Sequence, residues 1–147
     1  MKEIETTRLL LRRWRGGDLS AYARICADPE VMKYLPEASS GKECGADYWI
    51  RAALGGAGFG LSAVEERCSG EFIGYIGLIC HEDWPEGEHK TEGGWKLSRV
   101  RWGQGLATEG GCERSLGVRG IRSAADYQHY APKNAASRRV MEKAGLG

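Results

Sequence analysis

The chain has 147 residues, a length that fits one domain able to bury a core without disulfides or a structural metal. Hydrophobic residues make up 41% and charged residues 28%, which argues against both a disordered chain and a membrane protein. The 21 Lys and Arg residues nearly cancel the 20 Asp and Glu residues, and a net charge of +1 argues against a nucleic-acid partner.

The cysteines show neither a C-x-x-C pair nor a histidine at zinc-finger spacing, so we expect reduced thiols and no metal. They are Cys26, Cys44, Cys68, Cys80 and Cys112. The first residues lack the apolar stretch of a signal peptide, and no segment approaches the roughly 20 apolar residues of a spanning helix. These features predict a cytoplasmic protein with no membrane association.

The first third of the chain predicts one strand followed by helices. Residues 7–14 alternate in a way that suits a strand. Gly16 and Gly17 break it, and Asp18 is the expected N-cap of a helix that carries Leu19, Tyr22, Ala23 and Cys26 at helical spacing. That helix should end near residues 28–29, before a short helix over 30–34 and another over 42–54.

The rest of the chain predicts three strands, a helix, a further strand and a last helix. Residues 61–65 and 71–80 read as an antiparallel hairpin joined by a turn at 67–70. After a polar loop over 81–92, a strand resumes over 93–97, and a turn over 102–107 leads into a helix. The last helix covers 135–144 and ends at Gly145 as its C-cap. The order favours an α/β (α+β) fold, a mixed sheet with helices on both faces.

The most informative segment is 95–109, where a strand runs into Gly103, Gly105 and a helix start. Glycines let the backbone approach an anion closely, and the free N–H groups of a first helical turn favour its negative charge. A plain tight turn is the alternative that spacing alone leaves open. A P-loop is excluded because no Lys-Ser/Thr pair follows, and the glycines of 58–60 precede a strand, which is the wrong context for a dinucleotide fingerprint.

Residues 102–109, WGQGLATE, resemble the pyrophosphate loop of GNAT acetyltransferases, whose pattern is Gln/Arg-x-x-Gly-x-Gly/Ala. The form W-G-x-G-x-A-x-E is typical of the RimJ/RimL-like branch. Trp102 then stands at the Gln/Arg position, Gly105 at the central glycine and Ala107 at the last position. Segments 5–12, 28–35 and 131–146 also resemble that branch, so the likeness covers most of the chain.

The resemblance implies a GNAT-like, mostly antiparallel sheet and an N-acetyltransferase that uses acetyl-CoA and no metal. The acceptor would be a small-molecule amine or a protein N-terminus, attacked directly on the thioester without a covalent enzyme intermediate. Asn134 is, without the family, simply a good N-cap for the last helix. The residues implied to hold the cofactor are Leu97, Ser98, Gly103, Gln104, Gly105, Leu106, Ala107, Thr108, Asn134 and Ser137.

The sequence also offers candidate catalytic groups. Glu92 is the candidate general base, because it opens the strand beside the expected thioester, although a solvated carboxylate at a strand start is the competing interpretation. Glu88 and His89 are weaker candidates. Many GNAT members have a tyrosine that protonates the departing thiolate seven residues after the Asn, and here Met141, which has no proton to donate, takes that place.

Two further features depart from the family. Gly110 and Gly111 predict that the helix after the loop is short or frayed. The chain stops where family members continue through a last pair of strands, and a homodimer would cover the exposed edge that this leaves. Two alternatives to an enzyme therefore stay open: a non-catalytic acyl-CoA-binding module, and a structural protein without a ligand.

Overall fold

A computed structural model describes residues 3–33, 61–80, 91–115, 122–123 and 135–144 of the chain. The strands are β1 (Ile4–Glu5), β2 (Leu9–Arg12), β3 (Leu61–Glu66), β4 (Phe72–Cys80), β5 (Thr91–Leu97) and β6 (Arg122–Ser123). The helices are α1 (Asp18–Cys26), α2 (Pro29–Met32), α3 (Leu106–Ser115) and α4 (Ala135–Ala144), with a 3-10 turn at Arg99–Arg101 before α3.

In the described ranges the strands form one sheet in the order β1-β2-β3-β4-β5-β6. Each neighbouring pair from β1 to β5 is antiparallel. The last pair is parallel, with Glu92 opposite Arg122 and Gly93 opposite Ser123. This confirms the predicted mixed, mostly antiparallel sheet.

Helices lie on both faces of the sheet, because neighbouring residues of one strand pack on opposite sides. Val64 joins a core with Leu9, Ile76 and the first residue of α3, Leu106. Ala63, the preceding residue, packs instead with Trp14 and with Tyr22 of α1. The sequence therefore predicted the layers correctly.

The start of α1 differs from the prediction. Gly17 takes the N-cap position and the helix begins at Asp18, whose carboxylate accepts two hydrogen bonds from Arg12, at 2.8 and 2.9 Å, and one from the Arg15 N–H. Arg12 is buried and also donates to Glu65 at 2.7 Å. A buried guanidinium needs carboxylate partners, so the Asp18 carboxylate binds Arg12 in the core instead of capping the helix.

The ionisation of this buried cluster follows from its contacts. Burial alone would raise the pKa of Asp18, but the hydrogen bonds and charge of Arg12 outweigh it, and the pKa lies below its ordinary value. The hydrogen bond with Asp18, helped by Glu65, raises the pKa of Arg12 despite its burial. Arg12 and Asp18 are therefore both charged at neutral pH.

Several predicted boundaries shift. The strand predicted over 7–14 is confined to β2, and α2 begins at Pro29 with the Asp28 carboxylate accepting from the Glu30 N–H. In α1, Leu19 and Ala23 are exposed, whereas Tyr22 and Ile25 face the core. Strand β5 starts at Thr91, earlier than predicted, and α4 has the predicted bounds. The helix predicted over 42–54, residues 81–90 of the loop predicted over 81–92, and Gly145 lie outside the described residues.

The sequence predicts a short or frayed helix after the loop, and the structure shows that the two glycines do not interrupt it. Helix α3 has 10 residues and runs through Gly110 and Gly111, both of which are buried. A Cβ on Gly110 would lie 2.5 Å from the Ile76 Cδ1 and 3.5 Å from the Leu9 Cδ1. Glycine is therefore present here because the helix packs closely on the sheet, which offsets its low helix propensity.

Candidate functional site

The segment between β5 and α3 is a turn built around two glycines. Gly103 has φ +74° and Gly105 has φ +76°, in the left-handed region that side chains with a Cβ rarely adopt. Both glycines and Gln104 are exposed, whereas the Leu106 side chain is buried in the core. The buried leucine anchors the start of α3 and leaves the turn on the surface.

The main chain of this turn presents unused hydrogen-bond donors. In the described part of the chain, the N–H groups of residues 103–108 donate to no protein acceptor, and the first bond of α3 is that from the Glu109 N–H to the Gly105 carbonyl, at 3.0 Å. Free N–H groups and the positive end of the helix dipole together favour a bound anion. The turn thus has a geometry that suits a bound anion, and we call residues 103–108 the cradle.

The edge of β5 beside this turn also carries free main-chain groups. The Ser98 N–H donates to the Ile73 carbonyl at 2.8 Å, and Gly74 lies opposite Leu97. This pattern makes Gly74 and Leu97 a non-hydrogen-bonded pair, so the polar groups of Leu97, and by alternation those of Trp95, point away from β4. Among the described residues, β6 pairs with β5 only at Glu92 and Gly93, which leaves this edge without a strand partner.

One of these edge groups is occupied from within the chain. The indole Nε1 of Trp102 donates to the Leu97 carbonyl at 2.9 Å. Among the described residues, the groups that remain on this edge are the N–H and C=O of Trp95 and the N–H of Leu97. The edge of β5 therefore leads directly into the turn. The edge offers backbone groups that can pair with amides, and the turn offers N–H groups that suit an anion.

The site residues named from the sequence fall in different parts of this arrangement. Leu97 and Ser98 end the edge, and the Ser98 N–H is already bound by Ile73. Residues 103–108 form the cradle. Glu92 lies on β5 between Ile79 of β4 and Arg122 of β6. Ser137 and Met141 belong to α4, which packs against α3, and Asn134, Glu88 and His89 lie outside the described residues.

Sequence reasoning missed the group that holds the cradle in place. Arg8 donates through Nη1 to the Gln104 carbonyl at 2.8 Å and through Nε to Glu109 at 2.7 Å. The Arg8 backbone N–H and the Thr6 hydroxyl donate to the other oxygen of Glu109. We call Thr6, Arg8 and Glu109 the clamp. Both of its ends lie in segments that resemble the family, but 101 residues separate them, so sequence spacing does not reveal the contact.

The clamp also sets the charge of Glu109. Burial tends to raise the pKa of this carboxyl, but the hydrogen bonds from Thr6 and Arg8 and the positive charge of Arg8 lower it below its ordinary value. A carboxylate in the first turns of α3 would otherwise repel a bound anion. Arg8 offsets that charge while fixing the turn through Gln104.

Within the part of the chain that the structure describes, no group of three or more His, Cys, Asp or Glu side chains is placed to hold a metal ion. None of the helices described is both long and apolar enough to cross a membrane.

Comparison with known proteins places the chain in a family. Residues 8–147 match the model of the acetyltransferase (GNAT) domain. The uncharacterized protein YkkB of Bacillus subtilis is 29% identical over 154 residues, which cover 98% of this chain and 84% of that protein.

Solved structures agree with this match. A GNAT-family acetyltransferase from Bacillus anthracis superimposes with a TM-score of 0.74 at 25% identity, over 98% of this chain and 82% of that one. An acetyltransferase from Agrobacterium tumefaciens gives 0.74 at 22% identity, over 99% and 83%, and supports the fold alone. Because the domain model matches nearly the whole chain, the protein belongs to the GNAT acetyltransferase family.

Proposed function

We propose that this chain is an N-acetyltransferase of the RimJ/RimL-like branch that transfers the acetyl group of acetyl-CoA to a small-molecule amine or a protein N-terminus, with residues 1–147 acting as one domain. The observation that carries the proposal is the run of N–H groups at residues 103–108 that find no acceptor among the described residues, directly after the part of the β5 edge that no described strand covers. Two left-handed glycines followed by unused donors at a helix start form the geometry that favours a bound anion.

The two parts of the site match the two parts of the cofactor. The pyrophosphate of CoA carries negative charge and suits the cradle at the start of α3. The pantetheine arm carries amide groups, which suit pairing with the edge of β5 at Trp95 and the Leu97 N–H, as an added strand would. In this arrangement Leu106 contributes its backbone alone, because its side chain is buried.

The reaction is a direct transfer. The neutral amine attacks the thioester carbonyl, a C–N bond forms, the C–S bond breaks, and the CoA thiolate leaves with the electron pair. A β5 backbone N–H stabilises the oxyanion that develops, and a base removes the proton of the amine. Glu92 is our candidate for the base, because it opens β5 beside the expected position of the thioester. It lies about 16 Å along β5 from Leu97, at the end of the strand far from the cradle.

The test of the cofactor site is calorimetric titration with acetyl-CoA. We expect micromolar binding, and Gly105→Glu should weaken it roughly a hundredfold, since a carboxylate about 5 Å from the pyrophosphate costs about 3 kcal/mol. Gly70→Glu is the matched control, because Gly70 also has a positive φ, at +70°, and lies in open space in the turn between β3 and β4. A folded protein that does not bind at millimolar acetyl-CoA, or equal affinity of the two variants, would refute the site.

A second candidate function is a non-catalytic acyl-CoA-binding module. Met141 favours it, because methionine cannot protonate the leaving thiolate. Release of free thiol from acetyl-CoA with a panel of amines separates the two functions. Thiol release that depends on an added amine and falls in Glu92→Gln supports the enzyme, whereas tight binding without release supports the binding module.

A further inference from the structure

The Trp102 side chain lies between the two parts of the cofactor site. Its backbone directly precedes Gly103, where the cradle begins, and its indole Nε1 reaches back to the Leu97 carbonyl at 2.9 Å. The ring therefore spans the distance from the cradle to the free edge of β5. It is 47% exposed, so part of the indole faces solvent although its N–H is bound.

The hydrogen bond from the Trp102 indole changes the groups that the protein surface offers to a ligand beside Leu97. The Leu97 carbonyl would be a free acceptor on the edge, but the indole N–H occupies it. The Ser98 N–H likewise already donates a hydrogen bond to the Ile73 carbonyl. Between the last amide-pairing group of β5 and the first donor of the cradle, the surface therefore offers an apolar indole held in a fixed orientation.

Coenzyme A has a chemical feature that fits this position. Between its pyrophosphate and the first amide of its pantetheine arm lies the pantoyl unit, whose central carbon carries two methyl groups and is the most apolar part of the arm. We infer that Trp102 is a specificity-determining residue that packs its indole against this dimethyl carbon. The inference rests on the proposed function, since it assumes that CoA occupies the edge and the cradle.

The magnitude follows from the area that would be covered. Two methyl groups buried against an aromatic ring contribute roughly tenfold in affinity. A CoA analogue without the two methyl groups should therefore bind the wild-type protein about tenfold more weakly than CoA does. On a variant without the indole ring, the difference in affinity should be much smaller.

Two substitutions distinguish the contribution of the indole ring from that of its N–H group. Trp102→Phe keeps an aromatic face but removes the donor to Leu97. Trp102→Gln keeps an N–H donor but removes the ring, and it restores a residue type that the family pattern has at this place. Leu19→Gln is the matched control, because Leu19 on α1 is similarly exposed, at 44%, and belongs to no part of the site.

The experiment is calorimetric titration of the wild-type protein and the three variants with CoA and with a synthetic CoA that lacks the two pantoyl methyl groups, with 3′,5′-ADP as a probe of the nucleotide end alone. We expect wild type, Leu19→Gln and Trp102→Phe to prefer CoA over the analogue by about tenfold, and Trp102→Gln to lose most of that preference while binding 3′,5′-ADP as wild type does.

Equal affinity of wild type for CoA and the analogue would overturn the inference and leave the proposed function standing, and that comparison needs no variant to fold. A full preference retained by Trp102→Gln would also overturn it. Failure of the wild-type protein to bind either CoA or 3′,5′-ADP would instead overturn the proposed function, and the inference with it.

Discussion

Gly74→Ala tests the close contact between β4 and β5, on which the edge at Leu97 depends. Gly74 has φ +142°, and an added Cβ would overlap the carbonyl oxygen of Lys96 and lie 2.9 Å from the Cα of Leu97. Carbon atoms pack best at about 3.5–4.0 Å, so β5 would have to move by at least about 0.5 Å. Backbone strain contributes about 1–3 kcal/mol and the overlap about as much again. We expect a total loss of about 4 kcal/mol in the free energy of unfolding.

The assay is urea unfolding, with Gly70→Ala as the control. Gly70 also has a positive φ, but nothing lies within 4 Å of an added Cβ, so only the backbone term of about 1–2 kcal/mol applies. The difference between the two variants thus isolates the contact with β5. Acetyl-CoA binding should weaken in Gly74→Ala and persist in Gly70→Ala. If Gly74→Ala costs no more than Gly70→Ala, the reasoning from the close contact is refuted.

Four further predictions concern the clamp, the buried cluster and α3. Arg8→Lys keeps the charge but cannot donate to both partners of Arg8, so acetyl-CoA binding should weaken about tenfold with little change in Tm; unchanged affinity would contradict this. Asp18→Asn leaves the buried Arg12 short of a carboxylate and should cost about 3 kcal/mol in urea unfolding, and a loss below about 1 kcal/mol would speak against it. Because the pKa values of Asp18 and Glu109 lie below their ordinary 3.8 and 4.5, the stability that these groups contribute is present above those values and lost as pH falls below them, so Asp18→Asn should show a shallower decline in acid. Gly110→Ala should lower stability by about 1 kcal/mol net, since the close contact outweighs the gain in helix propensity, and a stabilised variant would show that α3 can move away from the sheet.

The candidate site was visible in the sequence where its signal is local. Gly103 and Gly105 before a helix start predict a cradle because backbone conformation depends on neighbouring residues. The sequence did not predict the clamp, because Arg8 and Glu109 come into contact only after β2 and α3 pack on each other. The occupied Leu97 carbonyl was equally hidden, since no spacing rule connects an indole N–H to a strand edge.

The order of the described strands and helices from β2 onward, the bounds of α4 and the glycine turn before α3 were determined by the sequence alone, since periodicity and turn chemistry act over a few residues. Only the tertiary structure decided that Asp18 binds Arg12 instead of capping α1, and that α3 continues through Gly110. In both places a requirement of the packed structure outweighs a local preference of about 1 kcal/mol: the burial of a charged guanidinium in one case, and the close approach of a helix to the sheet in the other.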